Sequence, residues 1–246
     1  MKQISRREAI GTVSVGVVGA AVIPAASAQA MAQDSAPASL AFAAKHNPKP
    51  LRFDPAKLTG LSEKLIVSHW ENNYQGSVRA LNLIEGKLAA AMQDTDFPAL
   101  VYGGLKREEL HRTGSVILHE YYFGALGGDG KPGGSIVDAI TASFGSFDIW
   151  QAEFRRTALS LSGGSGWAVL SYNPYLQSLH NYWAWDHMHH AVTGIPLITL
   201  DMYEHSYHMD YGTAATRYID AFMANLNWQV IDARYRKAVT LTGNID

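Results

Sequence analysis

Asp201-Met202-Tyr203-Glu204-His205 sets a carboxylate and an imidazole four residues apart, close enough to converge on one ion. Two isolated histidines far upstream, His69 and His119, would complete a shell of three nitrogens and one oxygen. Such a shell suits iron, manganese or zinc, whereas calcium and magnesium prefer all-oxygen sites. The chain has no cysteine, so any metal must be held by His, Asp, Glu or water. If the four residues meet, the chemistry is that of a redox or hydrolytic metal protein. Simpler roles compete. A buried histidine often serves only as a hydrogen-bonding core residue, and Asp201 could merely cap the helix that follows it. Placement favours ligation: Asp201 ends the apolar run Ile195 to Leu200, where an uncompensated carboxylate is costly.

Other candidates are weaker. Asp186-His187-Met188-His189-His190 could form a zinc or copper site alone, or a solvated loop with one histidine turned inward. Glu108 and His111 make one E-x-x-H element, but a di-iron bundle needs two of these plus two further glutamates, and no second copy exists. There is no H-E-x-x-H, phosphate-binding loop, G-x-S-x-G or dinucleotide fingerprint. Gly163 to Gly166 lacks the lysine of a phosphate loop and reads as a turn.

The elements that must position these groups follow from periodicity. Ser62 and Glu63 start a long helix whose apolar positions include Leu65, Ile66, Val78, Leu81, Ile84 and Leu88. His69, Asn73 and Ser77 are four apart and should share one stripe of it. A second helix is predicted from Lys106 through Phe123, with Ser115, His119 and Phe123 on one face, joined to the first around Asp94 to Gly104 as an antiparallel hairpin. Gly127 to Gly134 cannot hold a helix and reads as a linker. Ser135 and Ser146 should cap two short helices ending near Ser160. Trp167 to Tyr172 and Leu176 to Trp183 read as a hairpin, Ile195 to Leu200 as a third, buried strand, and the patterns around Ala214 to Leu226 and Val230 to Ala238 as closing helices. The layout is α+β: an N-terminal antiparallel helical hairpin, then a small three-stranded antiparallel sheet flanked by helices.

Residues 1–30 read as an export signal. A basic start with Arg6-Arg7 precedes the apolar run Ile10 to Pro24, too short to span a bilayer, and small residues fit cleavage after Ala28 or Ala30. The arginine pair points to the twin-arginine route, with an ordinary Sec leader as the alternative. That route carries folded proteins, so a metal could be loaded first. The expectation is a bacterial periplasmic or secreted protein. Residues 31–50 read as an extended, partly mobile lead-in, 51–127 as the helical hairpin domain and 135–246 as an α/β metal-binding domain. Without Lys2, Arg6, Arg7 and Glu8, 17 basic and 21 acidic residues remain, a net charge of −4. That balance excludes a nucleic-acid or anionic-membrane footprint.

In these residues the chain resembles the iron/manganese superoxide dismutases. Leu118-His119-Glu120-Tyr121-Tyr122-Phe123 matches the family's second-helix ligand segment, and Gly164-Ser165-Gly166-Trp167 its GSGW turn. Leu200 to Tyr207 resembles its D-x-W-E-H-A-Y signature, and Asn227-Trp228 its NW pair. The resemblance covers roughly Leu51 to Ala238. It implies disproportionation of superoxide at one iron or manganese ion per subunit, held by His69, His119, Asp201 and His205 with solvent as a fifth ligand. It implies that Trp167, His187 and Tyr207 belong to the catalytic surroundings, His187 being the outer donor to bound solvent, with Ser115 at the alternative position. It also implies a homodimer in which Glu204 reaches His205 of the other subunit and Tyr207 sits at the interface.

The chain departs from the family at the gate to the metal. Asn73 and Ser77 stand where the family has His and Tyr, Tyr203 replaces the signature tryptophan, and Phe123 replaces another aromatic. Cations that usually guide the anionic substrate give way to Thr213-Ala214-Ala215, with Arg217 nearest. Two further readings follow from the altered gate. One is a metal-binding protein on the same scaffold with little dismutase activity; the other is a metal oxidoreductase with another small substrate.

Overall fold

The computed structural model describes residues 39–192 and 194–241. The expected export signal and residues 31–38 of the lead-in lie outside them. Among the described residues, no helix is long and apolar enough to cross a membrane.

The first helix is one rod in three parts: α1 (Glu63–Ser68), a π-helical turn (His69–Tyr74) and α2 (Gln75–Ala91). Ser62 caps it, its Oγ accepting the Leu65 N–H at 3.1 Å. In the π turn the Gln75 N–H bonds the carbonyl five residues back, on Trp70. That wider turn breaks the expected stripe. His69 and Ser77 stay buried, but Asn73 is only half-buried and Tyr74, 1 % exposed, takes the inner position. Periodicity of 3.6 could not anticipate this, because a π turn inserts a residue into the helical phase.

α3 (Ala99–Gly124) begins seven residues before the expected Lys106. Pro98 precedes its first turn, and Gly103-Gly104 are carried inside it despite a cost of about 1 kcal/mol per glycine relative to alanine. The connection shrinks to residues 92–98. The two helices run antiparallel: His69 meets His119 while Ser77 meets Ser115. The lead-in from residue 44 runs along this hairpin and bonds to it. The Ala44 N–H donates to Glu85 Oε2 at 2.7 Å, the His46 N–H to Asn82 Oδ1 at 2.9 Å and the Lys49 N–H to Tyr74 Oη at 2.7 Å.

The glycine-rich stretch at 127–134 is a fitted loop where a linker was expected. The Gly128 N–H bonds Asn225 O at 3.0 Å, and a Cβ at Gly128 would lie 2.2 Å from Leu226 O. Only glycine permits that approach. α4 (Ser135–Phe144) follows. Ser135 is its first residue, not its cap as expected; Asp232 caps from afar, its Oδ1 accepting from the Ile136 N–H at 3.0 Å and Ser135 Oγ at 2.8 Å. Ser146 caps α5 (Phe147–Leu159) through the Ile149 N–H at 3.1 Å, as expected.

β1 (Trp167–Asn173), β2 (Ser178–Ala184) and β3 (Ile195–Asp201) form an antiparallel sheet in the order β2-β1-β3. β1 is central and buried along its whole length. Its register sets Trp167 opposite both Ala184 and Asp201. α6 (His208–Tyr211), α7 (Ala215–Ala224) and α8 (Trp228–Leu241) close the chain. α3 packs on β3, where Thr199 Oγ1 donates to Leu118 O at 2.9 Å. That contact brings His119 beside the end of β3. One apolar core runs from Leu65 and Leu118 through Trp150 and Leu170 to Phe222, so the hairpin and the sheet layer share it. The α+β architecture is as expected.

Candidate metal centre

Four elements deliver four side chains to one point. His69 comes from the π turn, His119 from the last turns of α3, Asp201 from the end of β3 and His205 from the turn just after it. Their candidate ligand atoms lie within 4.8 Å of one another. Asp201 Oδ2 is 3.1 Å from His69 Nε2, 3.2 Å from His205 Nε2 and 3.6 Å from His119 Nε2. The backbone of Asp201 is fixed, its carbonyl accepting from Ser206 Oγ and Tyr218 Oη, each at 2.8 Å. The competing reading of Asp201 as a helix cap is not met: its Oδ1 accepts the Tyr203 N–H at 2.9 Å, a turn bond two residues on, and Tyr203, not Asp201, stands at the cap of the short helix that follows. Each carboxylate oxygen therefore has its own task.

The donor set fits a metal ion on its own chemistry. His119 Nδ1 donates to the Ser115 carbonyl at 2.7 Å, which leaves Nε2 as a bare lone pair. That Nε2 is buried without a hydrogen-bond partner. An orphaned acceptor beside an aspartate oxygen is costly unless a cation lies between them. Burial, with the nearby His69 ring, lowers the His119 pKa to about 3. Burial likewise lowers His69. Burial alone would raise Asp201, but His205 and then His69 pull its carboxyl below the usual carboxylate range. Neutral His69 and His119 rings and an ionised Asp201 are the protonation states that ligation requires of them.

The surrounding layer is aromatic. Trp167 Nε1 donates to His187 Nδ1 at 3.0 Å. An indole N–H can only donate, so this bond fixes His187 as the tautomer with its proton on Nε2. Burial lowers the His187 pKa to about 4. Its ring stacks on Tyr203 at 4.8 Å, and Tyr203 stacks on His205 at 5.3 Å. The His-rich stretch thus turns one histidine inward, as one of its two readings had it. His189 instead pairs with Asp186 at 2.6 Å. Among the described residues no second group of His and acidic side chains gathers as the first four do. Glu108 pairs with Arg107 and Arg112, apart from His111, whose ring meets His187 edge-on at 4.9 Å.

One gate position, Ser77, is satisfied inside the protein. Ser77 Oγ and Ser115 Oγ share a hydrogen bond of 2.8 Å, and Ser115 Oγ lies 3.3 Å from His119 Nδ1. Phe123 sits 5.0 Å from His69. Two further neighbours escaped sequence reasoning. Tyr122 lies 5.1 Å from His69, and Tyr74 lies 6.3 Å from His119 with its Oη donating to Glu120. The run Tyr121-Tyr122-Phe123 was a signal for the first; the second appears only through the π turn. Glu204 is exposed, and the His205 side chain is 28 % exposed while the other three candidate ligands are at most 1 %. Tyr207, expected at an interface, is instead 1 % exposed and stacked on Tyr218 at 5.1 Å, so its ring has almost no surface to offer a second copy.

Comparison with known proteins agrees with this arrangement. A family profile described as "Iron/manganese superoxide dismutases, C-terminal domain" matches residues 132–234. A protein of Cupriavidus metallidurans named superoxide dismutase [Fe] is 53 % identical over 191 residues, covering 78 % of this chain and 96 % of that protein. One from Aquifex aeolicus, also named superoxide dismutase [Fe], is 36 % identical over 192 residues, covering 75 % and 89 %. One from Halobacterium salinarum, named superoxide dismutase [Mn] 2, is 33 % identical over 184 residues, covering 74 % and 90 %.

Proposed function

The chain belongs to the iron/manganese superoxide dismutase family, and from that premise we propose that it disproportionates superoxide at a single iron or manganese ion held by His69, His119, Asp201 and His205. Two superoxide anions and two protons yield one dioxygen and one hydrogen peroxide. The observation that carries the assignment of ligands is the buried, unpartnered Nε2 of His119 facing Asp201 Oδ2.

When bound, iron or manganese supplies the one-electron couple that the reaction needs. The chain's own residues do the rest. Asp201 contributes the anion that offsets the ion's charge, and the neutral imidazoles add no further charge. Asp201 Oδ1 is held by the Tyr203 N–H, so Oδ2 stays aimed at the three imidazoles. His187, its tautomer fixed by Trp167, keeps an N–H on Nε2 as a hydrogen-bond donor beside the site. On the other side, Ser77 and Ser115 satisfy each other's hydroxyls at 2.8 Å.

Two further features complete the proposal. The protein works as a homodimer, supported by the partly open His205 and the exposed Glu204 beside it. It is exported by the twin-arginine route, supported by Arg6-Arg7 and the apolar run that follows. Replacing both arginines with lysine should leave uncleaved precursor in the cytoplasm, read by fractionation; unchanged export would assign the Sec route.

The test of the activity is metal analysis and a superoxide assay on one preparation. Turnover should scale with iron or manganese content and vanish in His119→Ala. Stoichiometric metal without turnover across pH would leave a metal-binding protein on this scaffold.

A further inference from the structure

A cavity of about 570 Å³ adjoins the metal centre without containing any of its four candidate ligands. Tyr74 and Phe123 line it, the same rings that pack on His119 and His69. Its size lies within the roughly 300–1,000 Å³ range of small-molecule pockets.

The charges around it do not balance. Lys49, Arg52, Arg234 and Lys237 line the cavity, against one carboxylate, Glu120. Glu120 is already engaged by Lys49 and by Tyr74 Oη. Arg234 is the informative cation. Its Nη1 donates to Tyr121 O at 3.1 Å and Leu197 O at 2.8 Å, and its guanidinium lies 4.5 Å over the Tyr121 ring. Gly124 makes room for it: a Cβ there would fall 2.4 Å from Nη2. Arg234, Arg52 and Lys237 form no ion pair among the described residues around this cavity. Burial lowers the Arg234 pKa to about 10, and the charge of Arg52 pushes the same way. A largely buried guanidinium with another cation as neighbour is stabilised by a bound anion. The remaining wall is apolar and aromatic, with Trp70, Tyr121 and Leu51 in it.

We propose that this cavity binds a small organic monocarboxylate with a flat apolar body. The carboxylate meets Arg52, Arg234 and Lys237, and the ring lies against Trp70 and Tyr121. The site is independent of the dismutation reading, since it shares no ligand residue with the metal centre.

The test is calorimetric titration of the full chain with benzoate, with benzamide as its uncharged isostere and inorganic phosphate as an anion without the apolar body. One benzoate should bind per chain, with benzamide and phosphate each weaker by about tenfold or more. Arg52→Ala combined with Lys237→Ala changes two exposed side chains, so the fold should survive; benzoate affinity should fall by about tenfold or more. Absence of benzoate binding would overturn the proposal. So would equal affinity for benzamide or phosphate, or unchanged affinity in the double variant. Binding seen only after deletion of residues 242–246 would also overturn it, by giving the cavity to the chain's own end.

Discussion

The two sides of the metal centre are built on different logic. On the ligand side, His69, His119, Asp201 and His205 converge within 4.8 Å, and two of them, Asp201 and His119, are held through backbone carbonyls that belong to the fold itself. The Asp201 carbonyl is tied by Ser206 and Tyr218, and His119 Nδ1 by the carbonyl one turn back. On the gate side, Ser77 and Ser115 satisfy one another, Asn73 is half out of the core, and Tyr74 has rotated inward. A ligand atom must meet a single point in space, so its position tolerates no change. A gate need only control passage of small anions and protons, and several arrangements can do so. The contrast teaches that metal binding and proton supply are separable properties of this scaffold.

The largest effects should come from the ligand side. Asp201→Asn removes the shell's anion, and bound iron or manganese, measured by elemental analysis, should fall by about 100-fold or more in affinity. Full metal occupancy in that variant would break the contrast. Trp167→Phe acts one layer out. It frees the His187 tautomer while leaving the shell in place, so turnover should drop by roughly 10–100-fold with metal retained. A parallel loss of metal would show instead that Trp167 only supports the fold.

Acid should separate the two sides as well. His119 and His187 have folded pKa values near 3 and 4, lowered by burial from 6.5. Between pH 6.5 and those values the unfolded chain binds protons that the folded chain does not. Stability therefore rises with pH across this window, and falls as pH drops through it. Thermal unfolding of the metal-free protein should show a midpoint that decreases steadily from about pH 6.5 toward about pH 4. A flat profile would mean that neither imidazole is held neutral in the fold. Metal release should follow the same direction, since protonated imidazoles cannot ligate.

Smaller effects are expected at the gate and the surface. Asn73→His with Ser77→Tyr restores the family's gate residues. Ser77 is 5 % exposed, so the larger ring should cost about 1–3 kcal/mol of stability by overpacking. Metal content should be unchanged and the pH profile of turnover altered. An unaltered profile would mean that protons enter by the His187 side alone. Glu204→Ala should weaken dimerisation, read by light scattering across a dilution series, with little change in monomer stability because the side chain is exposed. An undiminished dimer would remove Glu204 from the interface.

The ligand side was legible in the sequence because its information is chemical. An Asp and a His four apart at the end of an apolar strand mark one part of the shell, and the resemblance of the motifs around His119 and Asp201 to the family picks His69 and His119 out of the ten histidines. The strands were legible for a similar reason: Trp167 to Tyr172 and Ile195 to Leu200 are buried almost throughout, and their turn residues are explicit. The gate was not legible because its geometry depends on the π turn at His69–Tyr74, which no 3.6-residue period reveals. The start of α3 was hidden by Gly103-Gly104, two poor helix formers that cooperative propagation carries along. The cap of α4 was hidden by distance, since Asp232 lies 96 residues from the amide it accepts. The fitted glycine loop at 127–134 looks like a linker in composition and differs only in what presses on it.

The central claim is that three imidazole nitrogens and one aspartate oxygen surround a single iron or manganese ion. X-ray absorption at the metal edge of the loaded, full-length protein tests it most directly. The account predicts a shell with three histidine rings visible in the outer scattering and nitrogen or oxygen distances of about 2.0–2.2 Å. A shell of oxygen donors without imidazole scattering would contradict it.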